Sequence, residues 1–268
     1  MPGTALSNQA SHRARKRFGQ NFLHDPGVIN RILDAISPDP ADHLVEIGPG
    51  QGAITRGLLE SGCLLDAIEL DRDLVQLLQQ EFGKLPRFRL HNADALKFDF
   101  CSLPEEGEGL RIVGNLPYNI STPLLFHLLD QARCIQDMHF MLQKEVVERM
   151  AAAPGNRTYG RLSVMLQIRC RVENLFPIGP GAFSPPPKVE SAFVRLTPWK
   201  APPHPVDDFE LFSHIVSAAF SQRRKTLRNT LKPLVSPETM EKCGVDPALR
   251  AEQLSPADFA CLANAVAA

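Results

Sequence analysis

The residues Asn115-Leu116-Pro117-Tyr118 suit one kind of chemistry, alkylation of a nucleobase amino group. An exocyclic amine is a poor nucleophile because its lone pair is delocalised into the ring. Acceptors placed on both of its N–H groups localise that lone pair, and an aromatic face holds the base flat. Asn115 supplies a side-chain oxygen acceptor, and the rigid Leu116-Pro117 step aims a backbone carbonyl beside it. Tyr118 supplies the stacking face. The plain alternative for so short a string is a polar turn after a strand. Its position downstream of residues with nucleotide-binding character favours the chemical reading.

Those residues end successive strands. The string VEIGPGQG (45–52) puts Glu46 on a strand and Gly48, Gly50 and Gly52 in the following turn, where backbone can approach a nucleoside. Gly48, Gly50 and Ala53 also satisfy a loose dinucleotide fingerprint. Glu69 closes the next strand, where a carboxylate can accept both ribose hydroxyls; a surface acid is the alternative. Asp94 closes the third and can accept from an adenine amino group, and Asn115 closes the fourth. A dehydrogenase would require a second phosphate-contacting region and a hydride-transfer residue, and neither is found. S-adenosylmethionine needs ribose and adenine contacts but no pyrophosphate site, so it fits better.

The elements that must hold these residues follow from hydrophobic pattern. Strands are predicted at 43–48, 64–70, from 88 to near 94, at 111–115, 138–142 and 189–196. Helices are predicted at 54–60, to 82 from a cap at Asp71 or Asp73, and at 160–170. Another opens on Thr122 as N-cap with Pro123 at the first helical position. Strand–helix alternation of this kind implies an α/β doubly wound, mostly parallel sheet with its ligand-binding turns along one edge. A Pro-rich break (Pro198, Pro202, Pro203, Pro205) precedes helical patterns only, at 209–220, 225–234, 237–243 and 256–265. So short a helical stretch is expected to pack on the first domain.

Bulk properties bound the rest. A 268-residue chain with 44% hydrophobic and 22% charged residues accommodates one large domain and a small one. No run reaches membrane-spanning length, so no membrane is expected. Six cysteines without C-x-x-C pairs, and eight histidines without ligand spacing, indicate neither a metal site nor a disulfide framework, and a reducing cytoplasmic setting is expected. The net charge of −1 does not announce a nucleic-acid partner, but its distribution is uneven. Arg223, Arg224, Lys225, Arg228 and Lys232 form an acid-free stretch, as does the arm containing Arg13, Arg15, Lys16 and Arg17. A solvated face is the common meaning of such runs. Flanking a base-binding motif makes an RNA contact the better reading.

The chain resembles the KsgA-type ribosomal RNA adenine dimethyltransferases, class I enzymes that use S-adenosylmethionine. The resemblance rests on RKRFGQNFL (15–23), VEIGPGQGAIT (45–55), IELDRDL (68–74), GNLPYNIST (114–122), MLQKEV (141–146), YGRLSV (159–164), FSPPPKVESAFVRL (183–196) and FSQRRKTLRN (220–229). It implies a seven-stranded Rossmann-like catalytic domain over 15–200 and a helical ribosome-binding domain over 206–268, while the polar composition of residues 1–14 itself leads one to expect a disordered basic arm. It also implies that Gln20, Asn21 and Leu23 border the cofactor beside Gly48, Gly50, Glu69, Asp94 and Asn115. Phe183 becomes the second aromatic wall around the target adenine, opposite Tyr118; a core plug is its alternative. The implied substrate is a pair of adjacent adenosines in the 3′-terminal hairpin of small-subunit rRNA, converted to N6,N6-dimethyladenosine. The implied partner is the small ribosomal subunit, met by a monomer whose Arg223, Arg224, Lys225 and Arg228 grip phosphates from a helix. A large-subunit methyltransferase of the resistance type, and a non-catalytic assembly factor, are the other readings open.

Overall fold

The computed structural model describes residues 21–267 apart from 106 and 118. The expectations placed on Gln20, on Tyr118 and on the basic arm therefore lie outside the described residues.

The chain runs β1 (Phe22–Leu23), α1 (Pro26–Ile36), β2 (His43–Ile47), α2 (Thr55–Glu60), β3 (Leu64–Glu69), α3 (Arg72–Phe82), β4 (Phe88–Asn92), β5 (Leu110–Asn115) and α4 (Ser121–Asp130). It continues through β6 (Ile135–Gln143), α5 (Lys144–Met150), α6 (Arg161–Gln167), β7 (Cys170–Ile178), β8 (Phe183–Ser184) and β9 (Ser191–Pro198). Four helices follow: α7 (Phe209–Ala219), α8 (Leu227–Thr230), α9 (Pro237–Lys242) and α10 (Pro256–Ala267). The main sheet has seven strands in the order β4-β3-β2-β5-β6-β9-β7. β2 to β6 are parallel, and β9 runs antiparallel between β6 and β7. This is the expected doubly wound sheet.

Burial on both faces explains why the central strands read as largely apolar runs, broken by Glu46 in β2 and Asp66 in β3. Leu44 of β2 joins one core cluster while Val45 and Ile47 join the other. A third cluster packs α7 and α10 against Val164, Met165 and Ile168 of α6 and the turn after it, whereas Leu166 belongs to the sheet core. The C-terminal helices thus share α6 with the sheet layer, as the short helical stretch led one to expect.

Several boundaries differ from the sequence reading. The helix expected to reach Cys170 stops at Gln167, and Cys170 opens β7, an unexpected strand. Its sequence CRVENLFPI hides the strand because a Pro and polar residues are tolerated at a sheet edge and beside a bulge, here between Asn174 and Phe176. β9 begins at Ser191, two residues after the expected start. Thr122 is not an N-cap: Ile120 holds that position with no side-chain bond, and Pro123 lies within the first turn, where its missing N–H costs nothing. The helix expected over 225–234 shrinks to Leu227–Thr230, so Arg223, Arg224 and Lys225 sit on a turn rather than a helix. The cysteines differ too. Cys101 pairs with Cys134 and Cys243 with Cys261, with Cα separations of 5.5 and 5.9 Å, while Cys63 and Cys170 stay free and buried. Spacings of 33 and 18 residues carry no local signal of such pairing.

Two features fix helix α1 against the sheet. Helix α1 is capped by Asp25, whose carboxylate accepts from Val28 N–H at 2.9 Å. Its last carbonyls, normally orphaned, receive arginines from the sheet: Arg195 donates to Ala35 O at 2.9 Å, and Arg111 to Ile36 O at 2.7 Å. Arg111 also donates to Asp42 at 2.6 Å and to Asp137 at 3.2 Å. The helix is therefore pinned to β5 and β9, and with it the preceding Asn21–Leu23 segment.

Gly114, one residue before Asn115, pairs with Ile47 of β2. A Cβ there would stand 2.6 Å from Ile47 O, a backbone atom that cannot rotate away. Gly114→Ala is expected to cost about 1–3 kcal/mol through forced separation of the strands. Thermal unfolding checks this, and an unchanged midpoint would refute the close approach.

Candidate active site

The turns after the parallel strands enclose a cavity of about 240 Å³. Its lining includes Asn21, Phe22 and Leu23, Glu46 and Ile47 of β2, the turn 48–51, Glu69 and Leu70, Ala93 to Ala95, Asn115 to Pro117, Met141 and Phe183. The expected site residues Asn21, Leu23, Gly48, Gly50, Glu69, Asp94, Asn115, Leu116, Pro117 and Phe183 thus share one space.

The glycine turn is built for close packing. Gly50 and Gly52 have φ of 60° and 80°, in the left-handed region. A Cβ on Gly50 would meet the Phe22 ring at 3.2 Å, and one on Gly52 would meet the Phe82 ring at 2.7 Å. The turn is therefore pressed between β1 and α3 at Gly50 and Gly52, where a larger residue would push on an aromatic ring, while the space beside Gly48 is open.

Glu69 ends β3 and is 7% exposed. Its carboxylate accepts from the backbone N–H of Asp71 at 2.8 Å and of Gly50 at 3.4 Å. Burial holds this carboxyl above the usual range, against the pull of those donors. Asp94 lies two residues beyond β4; its Oδ1 accepts from Leu96 N–H at 3.0 Å, which fixes the turn.

The Asn115 amide nitrogen donates to Asn21 O at 3.0 Å. That bond sets the amide orientation, so the remaining polar atom of the side chain is its oxygen, an acceptor. Leu116 is buried and donates its N–H to Met141 O at 3.2 Å, continuing the strand pairing past Asn115. The Pro117 carbonyl accepts from Ile120 N–H at 3.1 Å, closing a turn. Of the two backbone acceptors foreseen, Leu116 O is the one left uncommitted by that turn.

Phe183 lies on β8, opposite Leu23 of β1 in an antiparallel pair, and is 3% exposed. It packs in the core with Leu23, Met141 and Phe193 while also lining the cavity. Wall and core plug are thus not exclusive. Arg223, Arg224, Lys225 and Arg228 are exposed and do not line the cavity. Arg223 donates to Arg157 O at 2.6 Å and lies 3.4 Å from Glu252.

Sequence reasoning passed over Phe22, Glu46, Leu70 and Asn119 as lining residues. Glu46 carried a usable signal, an acid inside an otherwise apolar buried strand. Leu70 is 51% exposed beside Glu69, and its apolar character at a strand end was open to the same reading. Phe22 gave none, since its contact with Gly50 depends on a chain reversal.

Among the described residues no helix is long and apolar enough to cross a membrane, and no group of three His, Cys, Asp or Glu side chains is arranged to hold a metal.

Comparison with known proteins bears on this site. A family model described as ribosomal RNA adenine dimethylase matches residues 11–268. Ribosomal RNA small subunit methyltransferase A of Pseudomonas aeruginosa is 65% identical over 262 residues, covering 98% of both chains. The protein of the same name from Marinobacter nauticus is 55% identical over 98% of this chain and 95% of its own. Among solved structures, a dimethyladenosine transferase from Plasmodium falciparum superposes with a TM-score of 0.75 at 25% identity, covering 90% of this chain and 95% of that one. The 23S rRNA methyltransferase ErmE gives 0.74 at 25% identity, over 92% and 100%. A match this long, joined to an amide acceptor at the end of β5 and acids at the end of β3 and just past β4, makes this chain a member of the ribosomal RNA adenine dimethylase family.

Proposed function

We propose that this chain transfers methyl groups from S-adenosylmethionine to N6 of two adjacent adenosines in the 3′-terminal hairpin of small-subunit rRNA, giving N6,N6-dimethyladenosine. The observation that carries this reading is the oriented Asn115 oxygen, in one cavity with Glu69, Asp94 and the glycine turn.

The residues present fit the methyl donor. Glu69 offers carboxylate oxygens to the ribose, Asp94 an acceptor to the adenine amine, and Leu70 an apolar face beside them. S-adenosylmethionine, when bound, supplies a methyl group on a positively charged sulfur, already activated for transfer. Asn115 Oδ1 and the Leu116 carbonyl accept the two N6 hydrogens of the target adenine and aim its lone pair. Alignment and fixed dipoles carry the rate, and no strong general base is needed. The target base must leave its stack, costing a few kcal/mol, and stacking on Tyr118 and Phe183 offsets this. We read residues 15–200 as the catalytic part and 206–268 as the helical RNA-binding part; two of the three core clusters lie within the first, and the third joins the C-terminal helices to residues 152–168.

The relatives named for the small subunit are 55–65% identical, against 25% for the large-subunit enzyme, which favours the small-subunit substrate. The test offers labelled methyl donor with small subunits, large subunits and naked RNA, and then digests the RNA. Dimethyladenosine in the small-subunit hairpin supports the reading; label confined to large subunits, or none at all, defeats it.

Arg223, Arg224, Lys225 and Arg228 are proposed to hold RNA phosphates. Replacing Arg223, Arg224 and Lys225 together with Ala is expected to weaken subunit binding and flatten its salt dependence by about 2–3 in log–log slope. Equal slopes for the two proteins would remove the assignment.

A further inference from the structure

Glu46 stands on the same sheet face as Glu69 and Asn115. β2 pairs Glu46 with Ala67 of β3 and Val113 of β5, and Glu69 and Asn115 lie one step further along that face. Glu46 is 2% exposed and lines the cavity. Its carboxyl accepts from Thr55 Oγ1 of α2 at 2.6 Å. Along the same face stand Arg111 of β5, His139 of β6 and Arg195 of β9, but each is engaged elsewhere: Arg111 with Asp42, Asp137 and Ile36 O, and Arg195 with His139 and Ala35 O. Nearer to Glu46, β5 offers Val113 and Asn115, and α1 offers Ile32 and Ile36. The charged group that reaches it is a second acid, Glu69. Among the described residues the cavity is lined by three acids, Glu46, Glu69 and Asp94, and by no Lys, Arg or His.

A buried acid beside another acid, with one hydroxyl donor, is poorly compensated when ionised. Burial, then Glu69, pushes the Glu46 carboxyl up to about 7, against the pull of Thr55. A cation in the cavity supplies the missing compensation, and a neutral molecule of the same shape does not. The methyl donor carries a positive sulfur; the thioether left after transfer is neutral.

We propose that Glu46 is the residue by which the cavity distinguishes its cationic methyl donor from the neutral product, releasing its proton when the donor enters and regaining one when the product leaves. The proposal rests on the methyl-donor reading above. Its balance closes. Donor uptake sends the Glu46 proton to solvent. Transfer forms the N6–carbon bond, leaves the broken bond's electron pair on sulfur and frees one N6 proton to solvent. Product departure returns one proton to Glu46. The net release is the single proton that methylation of an amine by a sulfonium requires.

The test is calorimetric titration of the full chain with S-adenosylmethionine and with S-adenosylhomocysteine, in buffers of different ionisation enthalpy. Both ligands carry the same ribose and adenine, so the ribose contacts of Glu69 cancel in their affinity ratio; the sulfonium acidifies the donor's amine, so each affinity is corrected for the amine titration measured on the free ligand. That ratio is expected to rise about tenfold in the donor's favour from about pH 6 to about pH 8, with release of about half a proton near pH 7 on donor binding alone. Glu46→Gln should flatten the ratio and abolish the release. Thr55→Val keeps the acid but deletes its hydrogen bond, and should move the midpoint to higher pH. Equal pH dependence for the two ligands, persistent release in Glu46→Gln, or an unmoved midpoint in Thr55→Val overturns the proposal. If the donor fails to bind at every pH, the methyl-donor reading falls as well, which tells the two failures apart.

Discussion

Asn115→Ala is expected to lower kcat for methyl transfer by about 10²–10³-fold while leaving RNA binding within about twofold. The magnitude is that of removing one preorganised dipole from a reacting centre, a contribution made where charge develops. Asn115 is suited to that role because its orientation is already set: its amide nitrogen is tied to Asn21 O, and Gly114 lets β5 lie close against β2 just before it. No reorganisation is needed when the base arrives. The substitution also releases the Asn21 carbonyl, so the N-terminal segment loses one anchor and a modest rise in KM for the methyl donor accompanies the loss in kcat. Single-turnover transfer with small subunits, alongside filter binding of the same subunits, separates the two quantities. A variant that transfers at the native rate would remove Asn115 from the chemistry. A native protein that binds subunits but never transfers would support the assembly-factor reading instead.

Glu69→Ala is expected to weaken binding of S-adenosylmethionine by roughly 10²-fold. Hydrogen bonds to a charged acceptor contribute about 1.5–3 kcal/mol each, and a carboxylate engaging two ribose hydroxyls loses both in the variant, less the cost of desolvating the acid. Glu69 also receives the backbone N–H groups of Asp71 and Gly50, so the variant loosens the cap of α3 and the glycine turn together. Glu69→Gln retains a carbonyl oxygen for one set of donors and is expected to fall between, at about tenfold. Titration calorimetry of the donor gives the affinities, and circular dichroism on heating shows whether the fold survives. Native affinity in the Ala variant would mean that the ribose lies elsewhere.

Much of this site could be read from single residues. Glu69 and Asn115 end strands whose apolar runs are visible without any structure, and the strands carry them to one edge because parallel neighbours point the same way. The glycine turn was legible for the same reason, although its glycines turn out to admit Phe22 and Phe82 rather than to face only the ligand. β7 was not legible. An edge strand needs no apolar face on its open side and tolerates Pro177, so its pattern resembles a loop. The cap of α4 was misread because Thr-Pro suits a helix start in general, whereas here the turn closed by Pro117 and Ile120 begins the helix earlier.

The sequence by itself determined the alternation of strands and helices, the acids and amide at the strand ends, and the motif for an amine. Each of those depends on residues close together along the chain. The tertiary structure alone decided that Asn21 orients Asn115, that Phe183 pairs with Leu23 beside the cavity, and that Arg111 and Arg195 close the end of α1. It alone decided that, among the described residues, the cavity is lined by three acids and by no Lys, Arg or His. These relations join residues tens of positions apart, and only packing brings them within reach of a hydrogen bond or a charge.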